Sequence, residues 1–126
     1  MIVIGEIRKI ITPFYDLASS SMRFKFRPGL IIAQADSDDY VVLPISTISR
    51  RSNRNLSFDI ELDPSQFPLL GLRSVSFART HKQTTVHRGE IGDCIGDMKT
   101  SYPDLFLRVL EARECFSEEI SSQALS

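Results

Sequence analysis

The sequence predicts a mainly β protein, a small barrel covered by one C-terminal α-helix. Two observations support this fold class: many short strand-forming segments lie between turn signals, and a single helical stripe of apolar residues lies near the end. The strand segments together suffice for about five to seven strands. The chain of 126 residues has the length of one domain, which we place at 1–116, followed by a polar tail at 117–126 that we expect to fray.

The strand candidates are short runs of β-branched, aromatic or alternating residues. The first covers 2–11 and should end at Thr12-Pro13. The others are the segments 30–33, 40–45, 58–62, 74–78 and 84–86. Segment 90–96 is ambiguous between strand and loop.

Two features between these strands carry specific expectations. The segment 14–26 contains a run of serines, which predicts a long, mobile loop of the kind that often carries function. The acidic turn 36–39 joins two apolar strands and predicts a hairpin. Pairing in that hairpin should end or bulge at Pro44, because proline has no N–H to donate.

The clearest helix lies at the end of the chain. Ser101 is a candidate N-cap, Pro103 fits the first turn, and Asp104 complements the positive end of the helix dipole. Apolar residues with helical spacing follow, namely Leu105, Phe106, Val109, Leu110, Ala112 and Phe116. This stripe should pack against the barrel.

The net charge of −1 conceals an uneven distribution. Residues 1–89 hold twelve Lys/Arg against eight Asp/Glu, a net charge of +4, whereas 90–126 hold three against eight, a net charge of −5. No acidic residue lies between Asp63 and Glu90. Such a basic segment suits a polyanion, because phosphate contacts favour Arg and Lys. The alternative is a solvated loop whose bias arose by chance.

Other classes of protein are disfavoured. No apolar run approaches the length of about 20 residues that a membrane helix needs, so we expect a soluble, cytoplasmic protein without a membrane partner. Cys94 and Cys115 lack the spacing of a metal or redox motif, and we expect them to be reduced and partly buried. The two histidines also lack metal-ligand spacing, so neither a metal nor another cofactor is expected.

Several stretches, taken in order, resemble the MazF/PemK toxins of type II toxin–antitoxin systems. They are Gly5-Glu6-Ile7, Arg27-Pro28-Gly29-Leu30-Ile31-Ile32, Leu43-Pro44-Ile45-Ser46-Thr47, the basic segment 76–86 and the helix 105–116. The resemblance covers roughly residues 5–116. It implies an SH3-like barrel of the MazF/CcdB type that forms a homodimer and cleaves single-stranded RNA at specific sequences without a metal, thereby stopping translation and growth. It also implies a small cognate antitoxin whose acidic, disordered tail fills the RNA groove.

The resemblance also suggests catalytic residues. Cleavage by the RNA's own 2′-hydroxyl needs a proton acceptor, a group that stabilises the phosphorane and a proton donor for the leaving oxygen. Arg27 matches the family's catalytic arginine, whose planar fork binds phosphate oxygens. Ser46 matches a hydroxyl position, with Thr47 beside it. Arg79 aligns with a basic catalytic residue of PemK-type members, and His81 stands where they carry an acidic base; an imidazole, with an unperturbed pKa of about 6.5, could replace it.

Candidate RNA-backbone contacts are the basic residues Arg23, Lys25, Arg50, Arg51 and Lys82. Two other functions stay open. CcdB-type toxins use the same barrel to inhibit DNA gyrase without cutting anything, and fold alone does not separate the two. A nucleic-acid-binding barrel that has lost catalysis is also compatible with the missing acid at position 81. Arg27 together with Ser46 favours the nuclease, because a gyrase inhibitor needs neither.

Overall fold

The structure, a computed structural model, describes the backbone of residues 1–126 and every side chain except that of Arg51. The described backbone contains seven strands and two α-helices, besides three single-turn 3-10 helices. The strands are β1 (Glu6–Asp16), β2 (Ser21–Gln34), β3 (Asp39–Ser46), β4 (Asp59–Leu62), β5 (Ser76–Arg79), β6 (Thr84–His87) and β7 (Ile91–Asp97). The helices are α1 (Met98–Ser101) and α2 (Pro103–Leu125). The predicted fold class, a mainly β barrel with a C-terminal helix, is confirmed.

The strands form one curled antiparallel sheet in the order β4-β5-β3-β2-β1-β7, with β6 also paired to β3. The predicted hairpin of β2 and β3 is present. Its ladder ends at the pair Gly29–Pro44, as the proline led us to expect. Beyond that point β3 continues on its other edge, where Ile45 lies opposite Ala78 of β5.

The sheet buries apolar side chains on both faces, which explains the continuous apolar run in β2. Leu30 and Leu43 belong to the main core under α2, together with Val109 of that helix. Ile31 and Val42, the next residues along, point to the opposite face and join a smaller cluster with Ile10 and Val86. One face of the sheet is therefore closed by the helix, and the other carries only this small cluster.

The predicted end of the first strand and the predicted mobile loop at 14–26 are both wrong. β1 continues through Pro13 to Asp16, and β2 begins at Ser21, so the turn between them covers only 17–20. The serine run occupies this turn, where Ser20 has a φ of 53°. The residues after it alternate between apolar and basic, which is the period of a strand, and this alternation outweighs the serines.

The C-terminal region also differs in detail. The ambiguous segment 90–96 largely forms β7, which pairs with β1. Ser101 is not the cap of the long helix, because it ends α1; α2 begins after Tyr102, with Pro103 in its first turn as predicted. The tail 117–126, expected to fray, is helical as far as Leu125. Neither helix of the described chain is long and apolar enough to cross a membrane.

Candidate active site

A groove of about 250 Å³ lies on the face of the sheet opposite α2. Its polar lining residues are Thr12, Arg27, Ser46 and Thr84. Arg27 and Ser46, predicted from distant parts of the sequence, thus line one groove. The β2–β3 register explains this: the ladder ends at Gly29–Pro44, and extending it by two residues brings Arg27 opposite Ser46 on the same face.

The floor of the groove depends on Gly29. A Cβ at this position would lie 2.5 Å from Val42 Cγ1 and 2.8 Å from Ile10 Cγ1, closer than carbon atoms can approach. The missing side chain lets β1, β2 and β3 pack closely beneath Arg27. The arginine itself is exposed and Ser46 is half-buried, so both side chains reach the open space. Thr47 follows the end of β3, is exposed and does not line the groove.

Arg79 binds a buried carboxylate. Its Nε donates to Asp59 Oδ1 at 3.1 Å, and its Nη2 donates to the carbonyl oxygen of Asn53 at 3.0 Å. The Asp59 side chain is fully buried and also accepts the N–H of Asn55 at 2.7 Å. Charge-assisted bonds of this kind are strong. Arg79 therefore fixes the loop 53–55 against β4 and β5, and this engages two of its three guanidinium nitrogens.

His81 lies on a different surface. Its ring packs against Phe58 and Phe116, whose centroids lie 5.8 and 6.1 Å away and 5.1 Å from each other. It lines a cavity of about 240 Å³ with residues of α2, among them Arg113, and this cavity shares no lining residue with the groove. The described structure therefore does not bring His81 together with Arg27 and Ser46.

The environment of His81 favours the neutral ring. Burial lowers its pKa; the nearby Asp59 carboxylate opposes this, and the positive charges of Arg79 and Lys82 add to it. The buried Nδ1 is 3.7 Å from Asp59 Oδ1, too far for a hydrogen bond, and has no other protein partner among the described side chains. The imidazole is thus mostly uncharged at neutral pH.

Two of the predicted backbone contacts extend the groove along the β1–β2 hairpin. Arg23, Lys25 and Arg27 alternate along β2 and share one face of it. Arg23 forms an exposed ion pair with Asp16 at 3.3 Å, and Lys25 Nζ lies 5.0 Å from the centre of the Phe14 ring. The three cations form a basic strip that leads into the groove.

The other predicted contacts are more scattered. Arg50 is exposed in the loop after β3, and Lys82 is exposed in the turn between β5 and β6. The Arg51 side chain lies outside the described residues. The two cysteines were expected to be partly buried, but both are exposed free thiols. Among the described residues, no group of three or more His, Cys, Asp or Glu is arranged to hold a metal ion.

Several site residues were not predicted. Thr84 reaches the groove because β6 pairs with β3, where it lies opposite Val42, and no local signal in the sequence reveals that pairing. Thr12 could have been found by extending β1 past Pro13, since it shares a face with Ile10. Arg54 stacks on the ring of Phe77 at 4.8 Å, one strand beyond Ser46, but neither residue lines the groove.

This architecture is that of solved endoribonuclease toxins. An endoribonuclease in complex with its cognate antitoxin, from a mycobacterial species, matches with a TM-score of 0.61 at 16% identity over 94% of this chain and 96% of that chain. A mycobacterial endoribonuclease matches with a TM-score of 0.61 at 16% identity over 93% of this chain and 91% of that chain. The Mycobacterium tuberculosis toxin MazF-mt6 gives a TM-score of 0.55 at 21% identity over 86% and 96%.

At such low identities the match establishes the fold. The chain has the MazF fold over nearly its whole length, which confirms the predicted resemblance at the level of structure. The sequence itself matches no family model and no curated protein.

Replacing Gly29 with alanine should destabilise the protein. The added methyl group must displace Val42 and Ile10, and overpacking of this kind costs about 1–3 kcal/mol of unfolding free energy. Urea denaturation measures the change. Gly89→Ala, in an exposed turn where a Cβ would lie 3.1 Å from His87 Nδ1 and close to no other part of the fold, is the matched control. Equal losses in the two variants would contradict the close approach at Gly29.

The pKa of His81 should lie below that of a free histidine, and an NMR titration of its ring measures it. Since the unfolded chain then binds more protons below about pH 6.5, the free energy of unfolding should fall as the pH drops through this range. His81→Gln should reduce this dependence. A His81 pKa at or above the free value would contradict the burial argument.

Proposed function

We propose that this protein is the toxin of a type II toxin–antitoxin system, a cytoplasmic, sequence-specific endoribonuclease that cleaves single-stranded RNA and thereby inhibits translation and growth. The observation that carries the proposal is the groove in which Arg27 and Ser46 lie together. It occurs on a fold shared with proteins named as endoribonucleases and as a MazF toxin. The basic strip that leads into it suits the RNA backbone.

The reaction proposed is attack of an RNA 2′-hydroxyl on the adjacent phosphorus. The O2′–P bond forms and the P–O5′ bond breaks, which yields a 2′,3′-cyclic phosphate and a 5′-hydroxyl. Arg27 would bind the non-bridging oxygens, whose negative charge grows in the phosphorane. Ser46 would donate its hydroxyl hydrogen to the same phosphate from the opposite strand. Neither role requires a metal.

The acceptor for the 2′-hydroxyl proton is not a carboxylate or imidazole of this groove. The described lining of the groove includes no carboxylate and no imidazole, and His81 faces another cavity. We therefore assign the groove alignment of the RNA and stabilisation of charge. The 2′-proton would pass to solvent, and the leaving 5′-oxygen would take its proton from solvent. Arg79 would then act through the loop 53–55, and His81, in its separate cavity, would not contact the phosphate.

A cognate antitoxin completes the proposal, together with the homodimer that the resemblance to MazF/PemK toxins implies. One of the matching structures is an endoribonuclease bound to its antitoxin. In this chain a basic strip of Arg23, Lys25 and Arg27 is complementary to an acidic, disordered tail that orders on binding. Such a tail in the groove would exclude RNA.

The second candidate is an RNA-binding barrel without catalysis. The specific observation in its favour is that His81, at the family's acidic position, lies away from the groove. The gyrase-inhibiting alternative has no observation in its favour here. Cleavage by the purified protein separates the nuclease from both.

The purified protein should cut single-stranded RNA in the presence of EDTA, and the products should carry 2′,3′-cyclic phosphate and 5′-hydroxyl ends. The reason is that arginine and hydroxyl donors supply the charge stabilisation that a metal would otherwise give. End-labelling and mass spectrometry identify the ends. Products with 5′-phosphates, or activity lost on chelation, would contradict the mechanism, and binding without any cleavage would favour the second candidate.

Arg27→Ala should lower turnover by about 10²–10³-fold, the effect of removing one preorganised donor. Its stability should stay close to that of the wild type, because the side chain is exposed. The matched control is Arg108→Ala, which removes an exposed arginine from α2. Single-turnover cleavage of one RNA compares the three proteins, and near-normal rates in a folded Arg27→Ala would remove Arg27 from the site.

A further inference from the structure

The β1–β2 hairpin extends beyond the rest of the sheet. β7 pairs with β1 only as far as Ile10, and β3 pairs with β2 only from Gly29 onward. Residues 11–16 and 21–26 therefore pair with each other alone and form a two-stranded ribbon, here called the hairpin arm. Isolated two-stranded ribbons are only marginally stable in water unless something packs on them or adds a strand.

One face of the hairpin arm is apolar. The cross-strand pairs on this face are Ile11 with Phe26, Pro13 with Phe24 and Tyr15 with Met22. Phe24 is 69% exposed and Phe26 is 61% exposed, and both line a cavity of about 600 Å³. Large exposed apolar patches of this kind mark binding surfaces.

The other face of the hairpin arm is basic. It carries Lys25 opposite Thr12 and Arg23 opposite Phe14, and Arg27 follows at the base of the arm. Side chains along β2 therefore alternate strictly between apolar and cationic from Met22 to Arg27. An extended ligand that contacts both faces must therefore present apolar and anionic groups alternately.

The outer edge of β2 is suited to receive such a ligand. Residues 21–27 contain no proline, so every residue has a backbone N–H, and no backbone hydrogen bond joins this stretch to another described element besides β1. The outer edge of β1 is less suitable, because a proline in a strand leaves a donor missing on the open side, here at Pro13. Strand addition would thus occur on β2.

We propose that the hairpin arm binds an extended peptide in which apolar and acidic residues alternate, added as a third strand along the outer edge of β2. The apolar side chains would lie beside Met22, Phe24 and Phe26, and the acidic ones beside Arg23, Lys25 and Arg27. Backbone hydrogen bonds supply affinity, and the two faces supply specificity. This deepens the proposed antitoxin contact, which assigns an acidic tail to the same three cations, and rests on that proposal for the kind of partner. Peptide binding is measured without RNA, so its failure is distinguishable from a failure of RNA cleavage.

The same features disfavour two other occupants. A single strand of RNA stacks on successive aromatic rings beside cations, whereas Phe24 and Phe26 lie on the face away from Arg23 and Lys25. The ring on the basic face, Phe14, is already covered by Lys25 at 5.0 Å. A second copy of the chain, paired edge to edge along β2, would place Arg23, Lys25 and Arg27 beside the same residues of its partner, and like charges across strands are destabilising.

The test uses the full-length protein and a capped Val-Glu repeat peptide of about eight residues, enough to span the exposed edge of β2. Calorimetry should show binding, and amides in 21–27 should gain protection from hydrogen exchange. A block isomer, with all valines before all glutamates, should bind at least about tenfold more weakly. Methylating alternate peptide nitrogens should abolish binding in one pattern and spare it in the other, because only one set of N–H groups faces β2.

Protein variants locate the site. Phe24→Ser should weaken binding by about tenfold through lost apolar burial. Lys25→Glu should weaken binding of the Val-Glu peptide and strengthen that of a Val-Lys peptide. The controls Leu107→Ser and Arg108→Glu change exposed residues of α2 and should bind as wild type does.

Four results would overturn the proposal. The first is absence of binding by the Val-Glu peptide. The second is equal binding by its block isomer or by both methylated forms. The third is a homodimer, seen by sedimentation, that Phe24→Ser dissociates, because a second copy would then cover the apolar face. The fourth is loss of oligouridylate binding in Phe24→Ser, which would assign the aromatic face to RNA.

Discussion

The register between β1 and β2 determines what each surface of this protein can do. With Ile7 opposite Leu30 and Ile10 opposite Arg27, one set of side chains enters the main core and the other faces the groove. The same alternation continues into the hairpin arm, where it separates an apolar face from a basic one. A slip of one residue would exchange the faces, bury Arg27 and expose Leu30. Core, groove and hairpin arm thus share one constraint.

A second interaction stabilises the end of the sheet formed by β4 and β5. The buried Asp59 carboxylate binds Arg79 and the loop backbone, so the loop 53–55 is fixed beside β5. Removing one partner of such a pair leaves an uncompensated buried charge, which is far more costly than the pair is stabilising. Arg79 is therefore committed to this structural contact, while Arg27 and Ser46 face the groove on their own.

The fold was largely predictable because strand and helix periods are local properties of the sequence. Arg27 and Ser46 were found through the motifs around them, and their common groove follows from the β2–β3 pairing. The prediction of a loop at 14–26 was wrong because the alternation of apolar and basic residues after the serines, which is the period of a strand, determines the structure there. The sequence does not reveal that His81 lies beside Phe116 in a cavity apart from the groove, because this depends on α2, a tertiary contact between distant segments. Thr84 carried no signal, since only the pairing of β6 with β3 brings it to the groove.

The most direct test of the central claim is a crystal structure of the protein with a short RNA whose 2′-hydroxyl at the cleavage position is methylated, so that attack cannot occur. The account predicts that the phosphate following this sugar lies within hydrogen-bonding distance of both the Arg27 guanidinium and Ser46 Oγ, in the groove opposite α2. A phosphate bound instead beside His81 and Arg113, with the groove free of RNA, would contradict it.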